Sequence, residues 1–194
     1  MPEPRFFALS PERQQNIVTA AQQEFGQKGY QAGSTNHIVK ACGISKGSLF
    51  NYFRDKDDVY MYSLRKAHEE IIARIEAEAC PHQELMERFA YWARRVFLML
   101  KARPDVYLLF QGLAQAPPAI QTRYAQENAA FFERTRRFWL LPEGSSEKLQ
   151  VLLWCHTGLS QDIQLRAREG VALDELERYF EERLQLLLRV FKSL

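Results

Sequence analysis

Apolar residues recur at helical spacing along almost the whole chain. The first such segment begins at Ser10-Pro11, carries Ile17, Ala20, Ala21 and Phe25 on one face, and ends near Gly29. The prolines lie at the N-terminus or where periodic segments begin and end, and no segment alternates with the two-residue period of a strand. The pattern therefore predicts an all-α fold of about nine helices, at roughly 10–29, 35–42, 45–52, 56–78, 83–102, 105–115, 118–140, 146–168 and 173–193.

The composition is that of a folded, water-soluble chain. Of its 194 residues, 46% are hydrophobic and 26% are charged, which excludes a disordered protein. No apolar run approaches the roughly 18–20 residues of a membrane span, and the first residues lack the pattern of a signal peptide. The three cysteines, Cys42, Cys80 and Cys155, are widely spaced and odd in number, which argues against a disulfide framework, so we expect a cytoplasmic protein.

The small net charge is unevenly distributed. The chain carries +2 in total, but residues 1–66 hold nine Lys/Arg against six Asp/Glu. This surplus suits a modest nucleic-acid footprint and is too small to identify one.

Residues 35–53 have the form of a helix-turn-helix, because two short helices are joined by a turn that contains Gly43. In the second helix, Leu49 and Phe53 fall on the inward side at about 100° per residue. The outward side carries small, polar and aromatic groups: Gly47, Ser48 and Asn51, flanked by Phe50 and Tyr52. Such a face suits a helix that lies in a DNA groove, but a glycine turn between short helices also occurs in all-α proteins that bind no DNA.

A wider arrangement favours DNA binding. The residues Ile17-x-x-Ala20-Ala21-x-x-x-Phe25-x-x-x-Gly29-Tyr30, then Ser34-Thr35-x-x-Ile38, then Ala41 to Phe53 and Lys56 resemble the tetracycline-repressor-like (TetR) family of bacterial regulators. The resemblance covers about residues 11–60. It implies a helix-turn-helix DNA-binding domain over 1–60 and a ligand-binding and dimerisation domain over 61–194. The implied protein is a homodimeric regulator, most simply a repressor, that leaves a palindromic operator when a small effector binds.

The resemblance also assigns DNA-binding roles. Thr35 would contact a phosphate at the start of its helix, and Lys56 would clamp a second phosphate. The residues of the recognition helix would enter the major groove: Ser45, Lys46, Gly47, Ser48, Phe50, Asn51 and Tyr52. Among these, Lys46, Ser48 and Asn51 are our candidates for base reading, since lysine suits guanine acceptors and asparagine suits adenine.

Two residues depart from the family pattern. Phe50 stands where family members usually carry tyrosine, so apolar contact is kept and one phosphate hydrogen bond is lost. Cys42 lies in the turn, where small or polar residues are common, and it is either a small packed residue or a redox-sensitive thiol.

Most aromatic residues lie in the C-terminal two-thirds, where core packing is their simplest role. The members from residue 91 onward include Tyr91, Trp92, Phe97, Tyr107, Phe110, Phe131, Phe132, Phe138, Trp139 and Trp154. Ligand pockets are usually apolar and aromatic, and the resemblance implies one in this part of the chain. Its candidate lining for a small apolar or aromatic effector is Tyr107, Phe110, Gln111, Tyr124 and Trp154.

The last two helices carry apolar residues on more than one face. One stripe, such as Leu173, Leu176, Phe180 and Leu184 in the final helix, is enough to pack on a core. A second stripe indicates either a wholly buried helix or an isologous dimer contact. The candidate dimer residues are Val151, Trp154, Cys155, Gly158, Tyr179, Leu186 and Val190.

No catalytic or metal-binding constellation stands out in the sequence. Cys80-Pro81-His82 and Cys155-His156 are pairs and not four-ligand sets, and no glycine-rich phosphate loop is present. We therefore expect neither an enzyme nor a cofactor or metal. Two alternatives remain open: an all-α small-molecule-binding protein that no longer binds DNA, and a helical enzyme that uses the same cavity.

Overall fold

The computed structural model describes residues 2–77, 79–127 and 146–192, and these residues form helices and no strand. The predicted all-α fold is thus confirmed for the part of the chain that is described. The helices are α1 (Pro4–Phe7), α2 (Pro11–Ala32), α3 (Thr35–Cys42), α4 (Lys46–Tyr52), α5 (Lys56–Glu76), α6 (Leu85–Ala102), α7 (Pro104–Leu113), α8 (118–127), α9 (Ser146–Arg168) and α10 (Leu173–Lys192). The short helix α1 is absent from the predicted set, and the remainder of the helix predicted over 118–140 lies outside the described residues.

Helix α2 begins as predicted and ends later than predicted. The Ser10 hydroxyl accepts a hydrogen bond from the Arg13 amide at 3.4 Å, which is the expected N-cap. Gly29 was expected to end the helix, but it only kinks it: its φ of 70° breaks the helical path, and the chain then continues helically to Ala32. The Gly33 amide donates to the Gly29 carbonyl at 3.1 Å, so a last turn closes beyond the kink.

The chain divides into two compact units. The first comprises Met1–Arg74 and Ala102–Ala129, and the second comprises Ile75–Lys101 and Ala130–Leu194. The predicted division of roles near residue 60 concerns function and stays a prediction. The core of the first unit includes large side chains that are at most 1% exposed: Phe6, Phe25, Ile38, Leu49, Phe53, Tyr60, Leu64 and Leu109.

Within the first unit, α2 and α7 approach each other closely. A methyl group on Gly26 would lie 2.5 Å from the Asp105 carbonyl oxygen, so only glycine fits this contact without movement. Arg103, which precedes α7, fastens the pair by donating to the carboxylates of Glu70 at 2.9 Å and Asp105 at 2.8 Å. It also donates to the side-chain oxygen of buried Gln22 at 3.1 Å. Helices α2, α5 and α7 are therefore held together by both packing and charge.

The second unit packs α6, α9 and α10 around its own core. Phe97 stacks on Phe180 with ring centroids 4.4 Å apart, and Arg94 donates to Glu181 at 2.8 Å. The buried residues are Met86, Phe89, Ala90, Ala93, Leu152, Ile163, Leu176, Phe180 and Leu184. Leu173 was expected on the inward stripe of α10 but is 58% exposed, because it is the first helical residue and precedes the buried turn. None of the described helices is long and apolar enough to cross a bilayer.

Candidate nucleic-acid interface

The first helix of the motif, α3, is fixed at both ends. Ser34 caps its N-terminus by accepting from the Asn36 amide at 3.3 Å, which makes Thr35 the first, half-buried helical residue. Ile38 is fully buried and anchors the helix. At the other end Gly43 adopts a left-handed φ of 67°, a conformation that glycine adopts without strain, and so turns the chain toward α4.

The second helix, α4, begins with the predicted serine cap. The Ser45 hydroxyl accepts from the Ser48 amide at 3.0 Å, and the two serine hydroxyls lie 2.9 Å apart. Leu49 and Phe53 are at most 1% exposed, which confirms that they face inward. The cap and the two anchors determine which side of α4 faces out.

The outward side of α4 presents the residues predicted to read DNA. Lys46, Gly47 and Asn51 are exposed, and Phe50 is 38% exposed. A methyl group on Gly47 would meet nothing closer than the Ser45 hydroxyl at 3.8 Å, so nothing within the chain requires glycine there. Of the other two predicted residues, Ser48 and Tyr52 are half-buried.

Lys56 joins the start of α5 to the end of α2. Its ammonium donates to the Gln31 carbonyl at 3.1 Å and lies 4.7 Å from the centre of the Tyr30 ring. Tyr30 in turn donates to the Asp57 carboxylate, and burial together with this carboxylate raises the pKa of Tyr30 to about 12. An ammonium has three donors, so Lys56 can hold this position and still offer a hydrogen bond to a phosphate.

A buried carboxylate behind the motif was not predicted. The Asp58 side chain is inaccessible to solvent and lies between Arg54 at 2.8 Å and Arg123 at 3.1 Å. Burial alone would raise the pKa of Asp58, but positively charged neighbours, with Arg54 foremost and Arg123 among them, outweigh it and hold that pKa well below its usual range. Arg123 lies 65 residues away in α8. The spacing of Arg54 and Asp58 suggests a helical ion pair, and no local signal points to Arg123.

A second unpredicted cluster fastens α3 to α2. The Glu24 carboxylate accepts from the Ser34 amide at 2.9 Å and lies 3.0 Å from His37 Nδ1. Lys28 Nζ lies 3.4 Å from the same Glu24 oxygen. Burial opposes ionisation of Glu24, yet these neighbours hold its pKa below the ordinary value. The cluster fixes the start of α3, where Thr35 was predicted to contact a phosphate.

Cys42 lies in the turn and is half-buried. Its Sγ is 3.8 Å from the Asn16 carbonyl oxygen, and burial raises the pKa of the thiol. A raised pKa lowers the fraction of the reactive thiolate, which disfavours a redox role. All three cysteines are free.

The residues predicted to line an effector pocket fall in both units. In the first unit Phe110 and Tyr124 meet around His68, with ring centroids 5.6 Å and 6.1 Å from the imidazole. The Tyr124 hydroxyl is 3.3 Å from His68 Nδ1. Gln111 on α7 is 3% exposed and Tyr107 is half-buried.

Trp154 belongs to the second unit, where it is 78% exposed. Of the other aromatic residues named in the C-terminal part, Phe131, Phe132, Phe138 and Trp139 lie outside the described residues.

The candidate dimer residues include an exposed apolar stripe on each of two helices. On α9, Val151 is 43% exposed beside Trp154, and a methyl group on Gly158 would meet nothing within 4 Å. On α10, Leu186 and Val190 are 43% and 49% exposed. Cys155 and Tyr179 are half-buried. Packing of α9 and α10 on their own core therefore leaves the apolar side chains of Val151, Trp154 and Leu186 exposed.

The sequence matches known regulators mainly through the motif. Residues 17–61 match the model of "Bacterial regulatory proteins, tetR family". The HTH-type transcriptional regulator HbdR of Aromatoleum sp. is 32% identical over 89 residues, which are 44% of this chain and 38% of that protein. The HTH-type transcriptional repressor AcnR of Corynebacterium diphtheriae is 22% identical over 87% of this chain and 75% of its own. The matched regions span less than half the length of HbdR and of YuxN, a Bacillus subtilis regulator.

The fold matches solved regulators over nearly its full length. The fatty acid degradation regulator FadR of Bacillus halodurans covers 93% of this chain and 96% of its own, with a TM-score of 0.71 and 17% identity. A tetR-family transcriptional regulator of Chloroflexus aurantiacus covers 97% of both chains, with a TM-score of 0.61 and 21% identity. FadR of Bacillus subtilis, solved in complex with stearoyl-CoA, covers 90% of this chain and 97% of its own, with a TM-score of 0.71 and 17% identity.

Proposed function

Because the chain belongs to the tetR family of bacterial regulatory proteins, we propose that it is a transcriptional repressor that binds a palindromic operator as a homodimer and is released by a small-molecule effector. The observation that carries the proposal is α4: a capped, anchored helix whose exposed side holds Lys46, Asn51 and a glycine that the fold itself does not require. A helix of this kind fits the major groove.

The DNA-contacting residues divide into two roles. Lys46 and Asn51 are exposed and reach base edges, where Lys suits guanine and Asn suits adenine. Ser48 joins them with a hydroxyl that also bonds to Ser45. Thr35 and Lys56, at the starts of α3 and α5, contact phosphates and set the position of the protein on the DNA.

A homodimer supplies two DNA-reading heads. The exposed stripes on α9 and α10 support a contact with a second copy, since Trp154 and Leu186 would otherwise leave apolar surface in water. The two recognition helices then meet successive major grooves about 34–36 Å apart or a multiple of that distance. The small excess of positive charge in residues 1–66 would then be present twice on one side of the DNA.

Effector control follows from the connections within the first unit. Phe110 on α7 and Tyr124 on α8 are candidate contacts for an apolar or aromatic effector, and Asp105 of α7 lies directly against Gly26 of α2. An effector that displaces α7 therefore also displaces the helix on which the DNA-binding motif rests. Release requires that the effector bind the displaced state more tightly than the DNA-bound state.

The first test is DNA binding by the full chain and two variants. The probe is a duplex from the region upstream of the gene, compared with an unrelated duplex by fluorescence anisotropy across a salt series. Asn51→Ala is expected to weaken the specific complex by about 1–3 kcal/mol and to leave the unrelated duplex unchanged. Lys56→Ala is expected to weaken both complexes and to reduce the salt slope by about one.

If neither substitution changes DNA retention, the assignment of these residues is wrong. If the unmodified chain binds neither duplex even at low salt, the small-molecule-binding protein without DNA binding becomes the better description. The effector is sought by adding compounds to the specific complex, and stearoyl-CoA is a reasonable first compound because FadR of Bacillus subtilis was solved with it.

A further inference from the structure

A short segment near the start of the chain contacts the end of the recognition helix. We use the term N-terminal clasp for residues 3–6, which include the first three residues of α1. The Glu3 amide donates to the Tyr52 carbonyl at 2.8 Å, at the last residue of α4. Phe6 is completely buried, with its ring 5.1 Å from Phe53 and 5.2 Å from Tyr62. The clasp therefore contacts the C-terminal end of α4 through one backbone bond and one aromatic side chain.

A helix as short as α4 depends on such contacts. It has seven residues, whereas isolated helices shorter than about 12 residues are marginal in water. The last four carbonyls of a helix also lack partners within it, and the Glu3 amide satisfies one of them. The Phe53 ring, which anchors α4 from within, is held on one side by Phe6.

The geometry points to a positioning role for the clasp, and this inference rests on the proposed DNA binding. We propose that Phe6 and the Glu3 amide hold α4 at the angle at which its outward residues meet the bases, without contacting DNA themselves. The family match begins at residue 17, so the clasp lies outside the matched residues.

A small tilt of α4 displaces the end of the helix that lies away from the clasp by a large distance. A seven-residue helix is about 10 Å long, so a tilt of about 10° moves one end by about 2 Å relative to the other. Hydrogen bonds to base edges do not survive such a displacement, since donor and acceptor must lie within about 3.2 Å. Attraction to phosphates tolerates it better, because it is long-ranged and independent of sequence. Loss of the clasp is therefore expected to reduce discrimination between DNA sequences more than overall affinity.

The side-chain test compares two adjacent phenylalanines in the full chain. Phe6→Ala removes the buried ring, and Phe7→Ala is the matched control because Phe7 is 52% exposed. The quantity measured is the ratio of affinities for the upstream duplex and an unrelated duplex. Phe6→Ala is expected to lower this ratio about tenfold or more, with the affinity for the unrelated duplex nearly unchanged, since one correct base contact contributes a discrimination of that size. Phe7→Ala is expected to leave the ratio unchanged, and Phe6→Leu is expected to keep most of the ratio that Phe6→Ala loses.

The backbone test keeps Phe6 and removes the hydrogen bond. Glu3 has a φ of −71°, which matches the φ of about −65° that proline requires. Glu3→Pro therefore deletes the amide donor with little change of conformation, and Glu3→Ala is the control that removes the same charge but keeps the donor. Glu3→Pro is expected to lower the affinity ratio by about two- to tenfold relative to Glu3→Ala. If circular dichroism shows that Phe6→Ala does not fold, the comparison of Glu3→Pro with Glu3→Ala still tests the positioning role of the clasp.

The proposal is overturned if folded Phe6→Ala keeps the wild-type ratio, or if Glu3→Pro and Glu3→Ala behave alike. It is also overturned if Phe6→Ala lowers both affinities equally, because a general loss of folded protein would do the same. These outcomes differ from failure of the proposed function, in which the unmodified chain binds neither duplex.

Discussion

Replacement of Gly47 by alanine is expected to change protein stability and DNA binding in opposite directions. Gly47 is the second residue of α4 and is exposed. The substitution adds one methyl group on the outward side and leaves every described contact within the chain in place. A role in the fold and a role in DNA binding therefore predict different results.

The stability effect follows from the helix. Alanine is favoured over glycine in a helix by about 0.5–1 kcal/mol, and the added methyl group has no neighbour closer than 3.8 Å. The free energy of unfolding should therefore rise by about 0.5 kcal/mol or slightly more. For a chain of this length, that corresponds to a Tm increase of about 1–3 °C.

The DNA effect follows from the approach of α4 to the groove. If the Gly47 backbone lies against the duplex, a methyl group must push α4 outward and disturb at least one base contact. One such contact contributes about 1–3 kcal/mol of discrimination. The specific duplex should then bind about 5- to 150-fold more weakly, while the unrelated duplex is held by charge and changes little.

The assay pairs thermal unfolding of the free protein with anisotropy titrations on both duplexes. Unfolding shows whether the helix is strengthened, and the titrations show whether the DNA contact is lost. Higher stability with unchanged specific affinity would refute the idea that α4 approaches DNA at Gly47. Lower stability would refute the inference that the fold does not require glycine at this position.

Three further predictions concern packing, protonation and assembly. Gly26→Ala places a methyl group 2.5 Å from the Asp105 carbonyl oxygen and should lower the free energy of unfolding by about 1–3 kcal/mol. Gly112→Ala is the control: the nearest atom to its methyl group would lie at 3.4 Å, so the loss should be smaller. Equal losses in denaturant titrations would contradict this prediction. Burial lowers the pKa of His156 to about 4, so the unfolded state, with a pKa near 6.5, takes up the proton first. The contribution of neutral His156 to the free energy of unfolding should therefore be fully present above about pH 6.5 and should fall by up to about 3 kcal/mol as the pH drops toward 4. His156→Leu should remove that part of the pH dependence. Trp154→Lys places a charge on the exposed stripe of α9 and should shift the chain toward monomers in sedimentation equilibrium. If the variant remains as dimeric as the unmodified chain, Trp154 does not lie in the dimer contact.

Local signals in the sequence were enough to predict the motif. Ser45, Gly43 and the anchors Leu49 and Phe53 each act over a few residues, through a cap, a turn and a helical face. Such signals appear directly in the spacing of residues, which is why the bounds of α3 and α4 agree with the prediction. The DNA-binding roles of the outward residues stay predictions, as do the effector and dimer residues.

The early end predicted for α2 was wrong for a local reason. Gly29 has the left-handed φ that commonly ends a helix, but its carbonyl accepts from the Gly33 amide and one more turn follows. The choice between an end and a kink depends on what the next residues contact. Here Ser34 bonds to Glu24, ten residues earlier.

By itself, the sequence determined the all-helical fold, the helix-turn-helix and the inward and outward sides of α4, because those properties depend on neighbours within about one or two helical turns. Only the tertiary structure decided that Phe6 reaches Phe53, that Arg123 pairs with Asp58 and that Gly26 receives Asp105. These contacts join residues 47 to 79 positions apart, and nothing in the local pattern of either partner specifies the other. They arise only when packing brings distant helices together.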